Sequence, residues 1–408
     1  MQTFLLSVLI FTCYFESYGF SSTENEKQYC LTLNNEVKCE NLTNIILSRL
    51  DGHESGHIQN IRIEDGRQLE IKTLSLKPLI LEISNFLTKK ECKHLKEMAI
   101  EEGLQSSETH NWDNSNRFIL QDKDNDKRLS LEEMKLTLMG GFDVHLNKED
   151  ILLMYKEIKI DKDNDEYITQ SEMSSFSPKH FERYLNTFLK THPEKHSRYS
   201  RQVWLKPDTS DDEVFNRIIN RTSTLVDLPV ELMKLSDFQV VNYDIKGHYH
   251  AHWDSSGLDK AAPCCDKIRK NNCRICRYMT IFFYLNDVKD GGGTAFPVAN
   301  NETVDLGEIT KQELYNLNEK CGSPGLKVTA EMGKAIIWYN HFVNPESGWL
   351  GEQDVHTYHG GCPVKKGEKW VANFWIKVTD DKQDDLAKMH KYQQLLSKKE
   401  KKKGKDEL

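Results

Sequence analysis

Residues 243–254 read YDIKGHYHAHWD, and two side chains able to bind a metal stand two positions apart at the end of this stretch. In an extended strand, residues i and i+2 point to the same face, so His252 and Asp254 could hold one metal ion from one side. A third ligand is available much later in the chain, in the HGGCP motif that begins at His359. Two histidines and one carboxylate with open positions beside them are typical of non-haem Fe(II). The sequence therefore predicts an iron site formed by two distant segments.

A cation follows the third ligand, because Lys369 opens the strand-like stretch after His359. One ammonium group suffices to bind a carboxylate of a dicarboxylic co-substrate whose other end chelates iron. A His-x-Asp pair or a lysine alone would more often belong to an ordinary surface, so the prediction depends on their combination. His356 is the alternative to His359 as third ligand, whereas His248 and His250 flank the site without an assigned role.

The composition and the two ends of the chain indicate a secreted or lumenal protein. The 408 residues carry a formal net charge of −8, which gives no general basic field for nucleic acid. Residues 1–20 contain an apolar run shorter than the roughly 20 residues of a bilayer span, so we expect a cleaved signal peptide, with a retained anchor as the alternative. Residues 405–408 read KDEL, which predicts the endoplasmic reticulum lumen and the KDEL receptor as a partner. Three glycosylation sequons agree with this route, at Asn41, Asn220 and Asn301.

The ten cysteines fit an oxidising compartment. Cleavage would remove Cys13 and leave an odd number, so at least one thiol stays free or pairs between chains. Cys30 and Cys39 are near neighbours and are expected to pair. The cluster at residues 264–276 has spacing that would also suit zinc, but the compartment favours disulfides that close the loop after the metal strand.

Two acidic stretches match a twelve-residue calcium-binding loop and predict a pair of EF-hands. Each has oxygen-bearing side chains at positions 1, 3, 5, 9 and 12 and offers a backbone carbonyl at position 7. Leu129 and Ile168 occupy position 8, where paired loops meet through an apolar contact. Two solvated acidic turns without calcium are the alternative. The expected ligands are Asp122, Asp124, Asp126, Arg128, Ser130 and Glu133 in the first loop, and Asp161, Asp163, Asp165, Tyr167, Thr169 and Glu172 in the second.

Position 6 of both loops departs from the pattern, because Lys127 and Glu166 stand where glycine makes the sharp turn. A residue other than glycine at positive φ costs on the order of 1 kcal/mol. We therefore expect weak binding, with Kd of roughly 10⁻⁴–10⁻³ M, and a structural role for calcium.

The strand-like stretches are rich in β-branched and aromatic residues and are joined by long loops. Metal ligands from separate strands suit a jelly roll. The expected fold class is α+β, mainly β, with a double-stranded β-helix, flanking helices and the helical EF-hand pair inserted into it.

Residues 76–378 resemble the prolyl 4-hydroxylases, members of the Fe(II)/2-oxoglutarate dioxygenases. The resemblance is carried by YDIKGHYHAHWD from Tyr243, RYMTIFFYLNDVKDGGGTAFP from Arg277, GKAIIWYN from Gly333 and HGGCPVKKGEKWVANFWI from His359. It implies hydroxylation of peptidyl proline at carbon 4, with O₂ and 2-oxoglutarate consumed, succinate and carbon dioxide released, and L-ascorbate as a further cofactor. The site residues it implies are His252, Asp254 and His359 for iron, Lys369 for the distal carboxylate of 2-oxoglutarate, and Tyr249, Tyr243 and Trp375 for the pocket wall. Tyr243 and Trp375 could equally be core aromatics.

The sequence patterns and the resemblance together divide the chain into six parts. They are a signal peptide (1–20), an N-terminal extension (21–75), a first part of the hydroxylase domain (76–110), the EF-hand pair (111–180), the dioxygenase domain (181–378) and a charged tail with KDEL (379–408), read as a flexible stalk.

Two other functions remain open from the sequence. A catalytically inactive, calcium-binding resident of the endoplasmic reticulum would also have the acidic loops and the KDEL motif. A related oxygenase could act on lysine or a small molecule. Collagen-like and hypoxia-factor-like peptides are both compatible substrates, and a homo-oligomer is left open.

Overall fold

The computed structural model describes residues 28–33, 36–41, 45–63, 66–107, 121–257, 262–264, 273–322 and 325–406. The predicted signal peptide, Cys13, Cys265 and the last two residues of the KDEL motif lie outside these ranges. Among the described residues, no helix combines the length and the apolar character needed to cross a bilayer.

The described chain contains twenty-two strands and ten α-helices. The strands are β1 Gln28–Leu33, β2 Glu36–Asn41, β3 Ile58–Arg62, β4 Gln68–Leu76, β5 Leu79–Ile83, β6 Gln105–Ser106, β7 Arg128–Leu129, β8 Ile168–Thr169, β9 Arg198–Tyr199, β10 Arg201–Leu205, β11 Asp237–Tyr243, β12 His248–His252, β13 Arg277–Tyr284, β14 Asp290–Gly291, β15 Thr294–Phe296, β16 Leu326–Val328, β17 Ala335–Tyr339, β18 His341–Val343, β19 Leu350–Gln353, β20 His359–Gly361, β21 Val364–Lys366 and β22 Lys369–Lys377. The helices are α1 Lys89–Glu102, α2 Leu131–Phe142, α3 Lys148–Ile158, α4 Gln170–Ser175, α5 Pro178–Thr191, α6 Glu213–Val226, α7 Val230–Lys234, α8 Leu306–Lys311, α9 Leu317–Lys320 and α10 Lys382–Asp406.

Nine strands form the large sheet, in the order β3-β4-β5-β17-β13-β22-β11-β10-β6. Its central strands are apolar on both sides because both faces are covered. Phe283 and Val240 pack into a cluster with helices α1 and α6, whereas Phe282 and Val241 belong to a cluster on the opposite face.

Five strands form the smaller sheet, in the order β16-β15-β20-β12-β9. Phe296 and Val328 of this sheet share the second cluster with the large sheet, so the two sheets enclose an apolar core between them. The pairings within both sheets are antiparallel. Large antiparallel sheets with flanking helices confirm the predicted α+β, mainly β, class. The assignment to a double-stranded β-helix stays a prediction.

Helices α2 to α5 have a core of their own. Leu129, Ile168 and Met154 are fully buried in a cluster that contains no residue of the two sheets. Strand β7 pairs with β8 and places Leu129 opposite Ile168, as predicted for two facing loops.

The boundaries of two helices follow from their local sequence. Helix α1 begins after Thr88, whose side chain and that of Glu91 form a capping box, and it ends at Gly103 with φ of 87°. Helix α6 spans Glu213–Val226 as its apolar periodicity indicates.

The charged tail differs from the expected stalk. It forms helix α10, whose Leu386 and Met389 are buried against the main core. Trp349 donates a hydrogen bond to Asp385 (3.1 Å), and Tyr392 donates one to the Asp208 carbonyl (3.0 Å). Within this charged sequence, a short stripe of apolar residues packs the helix against the main core.

Disulfides occur where the sequence predicted them and at one further place. Cys264 pairs with Cys276, and Cys273 is also disulfide-bonded, which favours disulfides over zinc in this cluster. Cys321 pairs with Cys362, a pairing that the sequence did not indicate. Cys30 and Cys39 are register partners in β1 and β2, and their pairing stays a prediction.

Candidate metal centre and co-substrate pocket

Two neighbouring strands bring the predicted iron ligands together. Strands β12 and β20 are antiparallel, with His252 directly opposite His359, and the two rings are 4.8 Å apart. Asp254 lies in the turn after β12. Its Oδ1 is 3.5 Å from Nε2 of His252, and its Oδ2 is 3.5 Å from Nε2 of His359. One ligand atom from each residue lies within 4.8 Å of the others.

The hydrogen bonds of the two imidazoles suit metal binding. Nδ1 of His252 donates to the His250 carbonyl (2.9 Å), and Nδ1 of His359 donates to the Thr357 carbonyl (2.7 Å). A carbonyl oxygen only accepts, so Nδ1 carries a hydrogen and Nε2, which faces Asp254, is the nitrogen that could bind a metal. Burial lowers the pKa of His359 to about 4, which keeps this imidazole neutral near pH 7. The residues therefore fit a divalent ion bound by two imidazoles and a carboxylate.

Asp254 is fixed by a chain of buried hydrogen bonds. Thr280 donates to its Oδ2 (2.7 Å), Asn340 donates to Thr280 (2.9 Å), and Trp338 donates to Asn340 (3.1 Å). Burial works against ionisation of Asp254, but His359, His252 and Arg277 outweigh it and hold its pKa below the usual range. Sequence reasoning missed these supporting residues.

Lys369 is fully buried, on strand β22. Its Nζ lies 5.4 Å from the ring centre of Tyr243 and 5.6 Å from that of Phe282. No described carboxylate pairs with it, and burial lowers its pKa to about 7. A buried ammonium without a counterion is costly, so this position is suited to an anionic ligand.

Iron ligands and lysine line one cavity of about 430 Å³. Tyr243, Tyr249 and Trp375 line it too, so all seven residues expected at iron and 2-oxoglutarate surround one space. The Tyr249 ring stacks on that of His252, with centres 3.7 Å apart. Trp375 is also buried and lies against the Arg277 guanidinium (3.8 Å), and no described residue accepts a hydrogen bond from its indole Nε1.

The other histidines near the ligands are engaged elsewhere. His356 Nδ1 is 3.3 Å from Asp354 Oδ1, and His356 is not in the cluster that unites His252, Asp254 and His359. His248 lies between the carbonyls of Lys246 and His196, and Nδ1 of His250 accepts from the Leu317 amide. Their positions agree with the choice of His359 over His356.

The acidic loops bring three predicted ligands of each loop together. Asp122, Asp124 and Glu133 form one group, and Asp161, Asp163 and Glu172 form the other. The remaining predicted residues, Asp126, Arg128, Ser130, Asp165, Tyr167 and Thr169, lie in the same loops. Lys127 and Glu166 have φ of 68° and 66°, the left-handed backbone expected at position 6. These carboxylates have the chemistry that calcium prefers.

Comparisons with known proteins agree with this geometry. Residues 238–377 match the 2OG-Fe(II) oxygenase superfamily. The chain is 35% identical to mouse "Transmembrane prolyl 4-hydroxylase" over 352 residues, which cover 81% of this chain and 70% of the relative. The human protein of the same name is 34% identical over the same coverage. The solved structure of the viral collagen prolyl hydroxylase vCPH from Paramecium Bursaria Chlorella virus-1, in its 2OG complex, is 18% identical and aligns with 72% of this chain and 94% of that chain. Its TM-score of 0.28 is too low to support a statement on shared architecture.

Family membership confirms the resemblance seen in the sequence, and it implies Fe(II) and 2-oxoglutarate as cofactor and co-substrate. The chain belongs to the prolyl 4-hydroxylase family of 2OG-Fe(II) oxygenases and is a 2-oxoglutarate-dependent dioxygenase.

Proposed function

We propose that this protein hydroxylates prolyl residues of a peptide or protein substrate at carbon 4, with consumption of 2-oxoglutarate and O₂ and release of succinate and carbon dioxide. One observation carries the proposal: His252, Asp254 and His359 share a single cavity with the buried, uncompensated Lys369. The relatives named prolyl 4-hydroxylases support proline as the target.

His252, Asp254 and His359 would hold Fe(II) through two Nε2 atoms and one carboxylate. The iron, when bound, supplies oxygen activation coupled to decarboxylation of 2-oxoglutarate. Hydrogen bonds to the His250 and Thr357 carbonyls fix the two rings, and Thr280 fixes the carboxylate. The protein therefore contributes a ligand geometry that needs little rearrangement on metal binding.

Lys369 would bind the distal carboxylate of 2-oxoglutarate. The surrounding rings of Tyr243, Phe282 and Tyr284 exclude water, which strengthens the ion pair. Tyr243 and Tyr249 would form the adjoining wall, and Trp375 would lie at the cavity edge. No described side chain is required as a general base.

The acidic loops would form an EF-hand pair that binds Ca(II) as a structural element. The facing β7 and β8 strands and the separate helical core support this assignment. The two sheets would form a double-stranded β-helix, into which the pair is inserted. The six-part division of the chain is proposed as stated, although strand β4 crosses its boundary at residue 75 and helix α5 crosses its boundary at residue 180.

The endoplasmic reticulum lumen is the proposed location, with the KDEL receptor as a partner. Disulfides between Cys264 and Cys276 and between Cys321 and Cys362 support an oxidising compartment. L-ascorbate is proposed as the reductant that maintains ferrous iron.

Succinate release and mass spectrometry together test the function. The full chain, loaded with Fe(II), is incubated with 2-oxoglutarate and a panel of proline peptides, each paired with a peptide that has alanine at that proline. We expect succinate release that depends on the peptide, and a mass increase of one oxygen on proline. His252→Ala should abolish both. Turnover without any proline modification would indicate another substrate class, and full turnover by His252→Ala would refute the site.

A further inference from the structure

Arg198 lines the proposed pocket but lies outside the segment that matches the superfamily, residues 238–377. It is in strand β9, the edge strand of the smaller sheet, and is the direct register partner of Tyr249 in β12. Direct partners in an antiparallel pair have Cβ atoms roughly 5 Å apart, so their side chains contact each other.

The guanidinium of Arg198 lies over the ring of Tyr249. Its carbon is 4.8 Å from the centre of the Tyr249 ring. Nε donates to the Ser200 hydroxyl (2.9 Å), and Nη2 lies 3.5 Å from Oε1 of Gln239. The group is therefore restrained from two further sides and cannot swing freely away from the ring.

Tyr249 connects Arg198 to an iron ligand. Its ring lies on His252 with centres 3.7 Å apart and planes inclined by 23°. An irregularity in the β12–β20 register between Tyr249 and His252 lets residues three apart in sequence meet in this way. On the other flank Tyr249 is opposite Gly361, which offers no side chain to restrain it. Arg198 restrains this ring together with the apolar cluster between the two sheets, against which Tyr249 packs.

We propose that Arg198 is a positioning residue that presses Tyr249 against His252 and so orients this imidazole and the adjoining wall of the keto-acid pocket. The inference rests on the proposed iron and 2-oxoglutarate site. A planar guanidinium suits the role, because it stacks on an aromatic ring while its edges make fixed hydrogen bonds, which a lysine ammonium cannot reproduce.

The test compares Arg198→Ala and Arg198→Lys with wild type, with Arg201→Ala as the matched control. Arg201 lies nearby in β10 and is half-exposed, with its hydrogen bonds directed to Asn242 and Asp244. Binding of Co(II), followed by visible absorption, reports the ligand geometry without turnover. Titration of 2-oxoglutarate into the Co(II) form reports the pocket wall.

We expect Arg198→Ala to weaken Co(II) and 2-oxoglutarate binding by about tenfold each, the range of a desolvated cation–π contact. Arg198→Lys should recover only part of this loss, and Arg201→Ala should match wild type. The Co(II) absorption bands should shift in Arg198→Ala, which a mere loss of fold stability would not produce.

A double-mutant cycle separates action through Tyr249 from an independent effect. In a Tyr249→Leu background, Arg198→Ala should change Co(II) affinity by less than about twofold. Additive losses, or wild-type affinity and spectra in a folded Arg198→Ala protein, overturn the inference. These readouts require no peptide, so an incorrect choice of prolyl substrate would appear only in the turnover assay.

Discussion

The iron cluster and the acidic loops are both groups of metal-binding side chains, but they are assembled in opposite ways. Each acidic loop draws its ligands from a continuous stretch, and backbone amides of the same loop bond to its carboxylates, as when Lys123 donates to Glu133 (2.6 Å). The iron cluster joins His252 and Asp254 to His359 through the pairing of two strands.

The two kinds of site also differ in how far their side chains are exposed to water. Asp124 and Asp163 are exposed to water, whereas Asp254 and His359 are buried and depend on hydrogen bonds from other strands. A loop can recover its ligand geometry locally, but the iron cluster requires the whole sandwich of sheets. We therefore expect substitutions near iron to have large effects on the metal, and substitutions in the loops to have small ones.

Removal of the Asp254 carboxylate should give the largest loss of metal affinity. Asp254→Asn keeps the size of the side chain but removes the charge that pairs with both imidazoles. Since losses of supporting groups already cost 10- to 100-fold, we expect Co(II) affinity to fall by about a thousandfold or more and succinate release to stop. Calorimetric titrations of Co(II) and Ca(II) check both sites. Asp244→Asn, an exposed carboxylate paired with Arg201, is the control. Loss of calcium binding in Asp254→Asn would contradict the independence of the two sites.

Substitution of Thr280 tests whether metal affinity depends on the buried hydrogen bonds around Asp254 as well as on the ligands themselves. Thr280→Val preserves shape and removes the hydrogen bond to Asp254 Oδ2. Metal affinity should fall 10- to 100-fold, as for other groups that orient a ligand. Equilibrium dialysis with Co(II) measures it. Thr329→Val, at an exposed hydroxyl bonded to Glu331, should bind as wild type does. Equal affinities for the two variants would show that Asp254 needs no support.

Lys369 gives the pocket a dependence on pH near neutrality. Burial lowers its pKa to about 7, so the free pocket is cationic below pH 7 and neutral above it. Binding of the dianion restores the proton, so 2-oxoglutarate affinity should fall by about tenfold for each pH unit above 7. Titrations of the Co(II) form between pH 6 and 9 measure the slope. Lys369→Arg remains charged throughout this range, and its affinity, whatever its absolute value, should be nearly flat. A flat wild-type profile would show that Lys369 is already charged in the free pocket.

The same difference explains what the sequence could predict. The acidic loops follow a local pattern, so the contact of Leu129 with Ile168 and the left-handed position 6 were predicted and found, whereas the calcium ligands stay a prediction. His252 and Asp254 were suggested by their spacing, whereas His359 and Lys369 were chosen with the help of a family resemblance.

Residues that reach the site only because of the tertiary fold could not be predicted from the sequence. Thr280 meets Asp254, and Asn340 meets Thr280, because β12, β13 and β17 are packed together, and no sequence spacing records this. Arg198 meets Tyr249 through a two-residue edge strand. The charged tail was predicted to be a flexible stalk because its lysines outnumber the apolar residues that anchor helix α10.

Substitution at position 6 of the acidic loops should give the smallest change in metal affinity. It is the only substitution expected to increase the affinity. Lys127 adopts φ of 68°, which costs an L-residue about 1 kcal/mol, so Lys127→Gly should bind calcium about fivefold more tightly at the first loop. Calorimetric titration of the full chain with Ca(II) measures the change. Lys127→Ala removes the same charge but keeps the Cβ, so it separates backbone strain from electrostatics. An equal gain in both variants would assign the weakness to the lysine charge, and no gain in either would show that the calcium-free loop already carries the same strain.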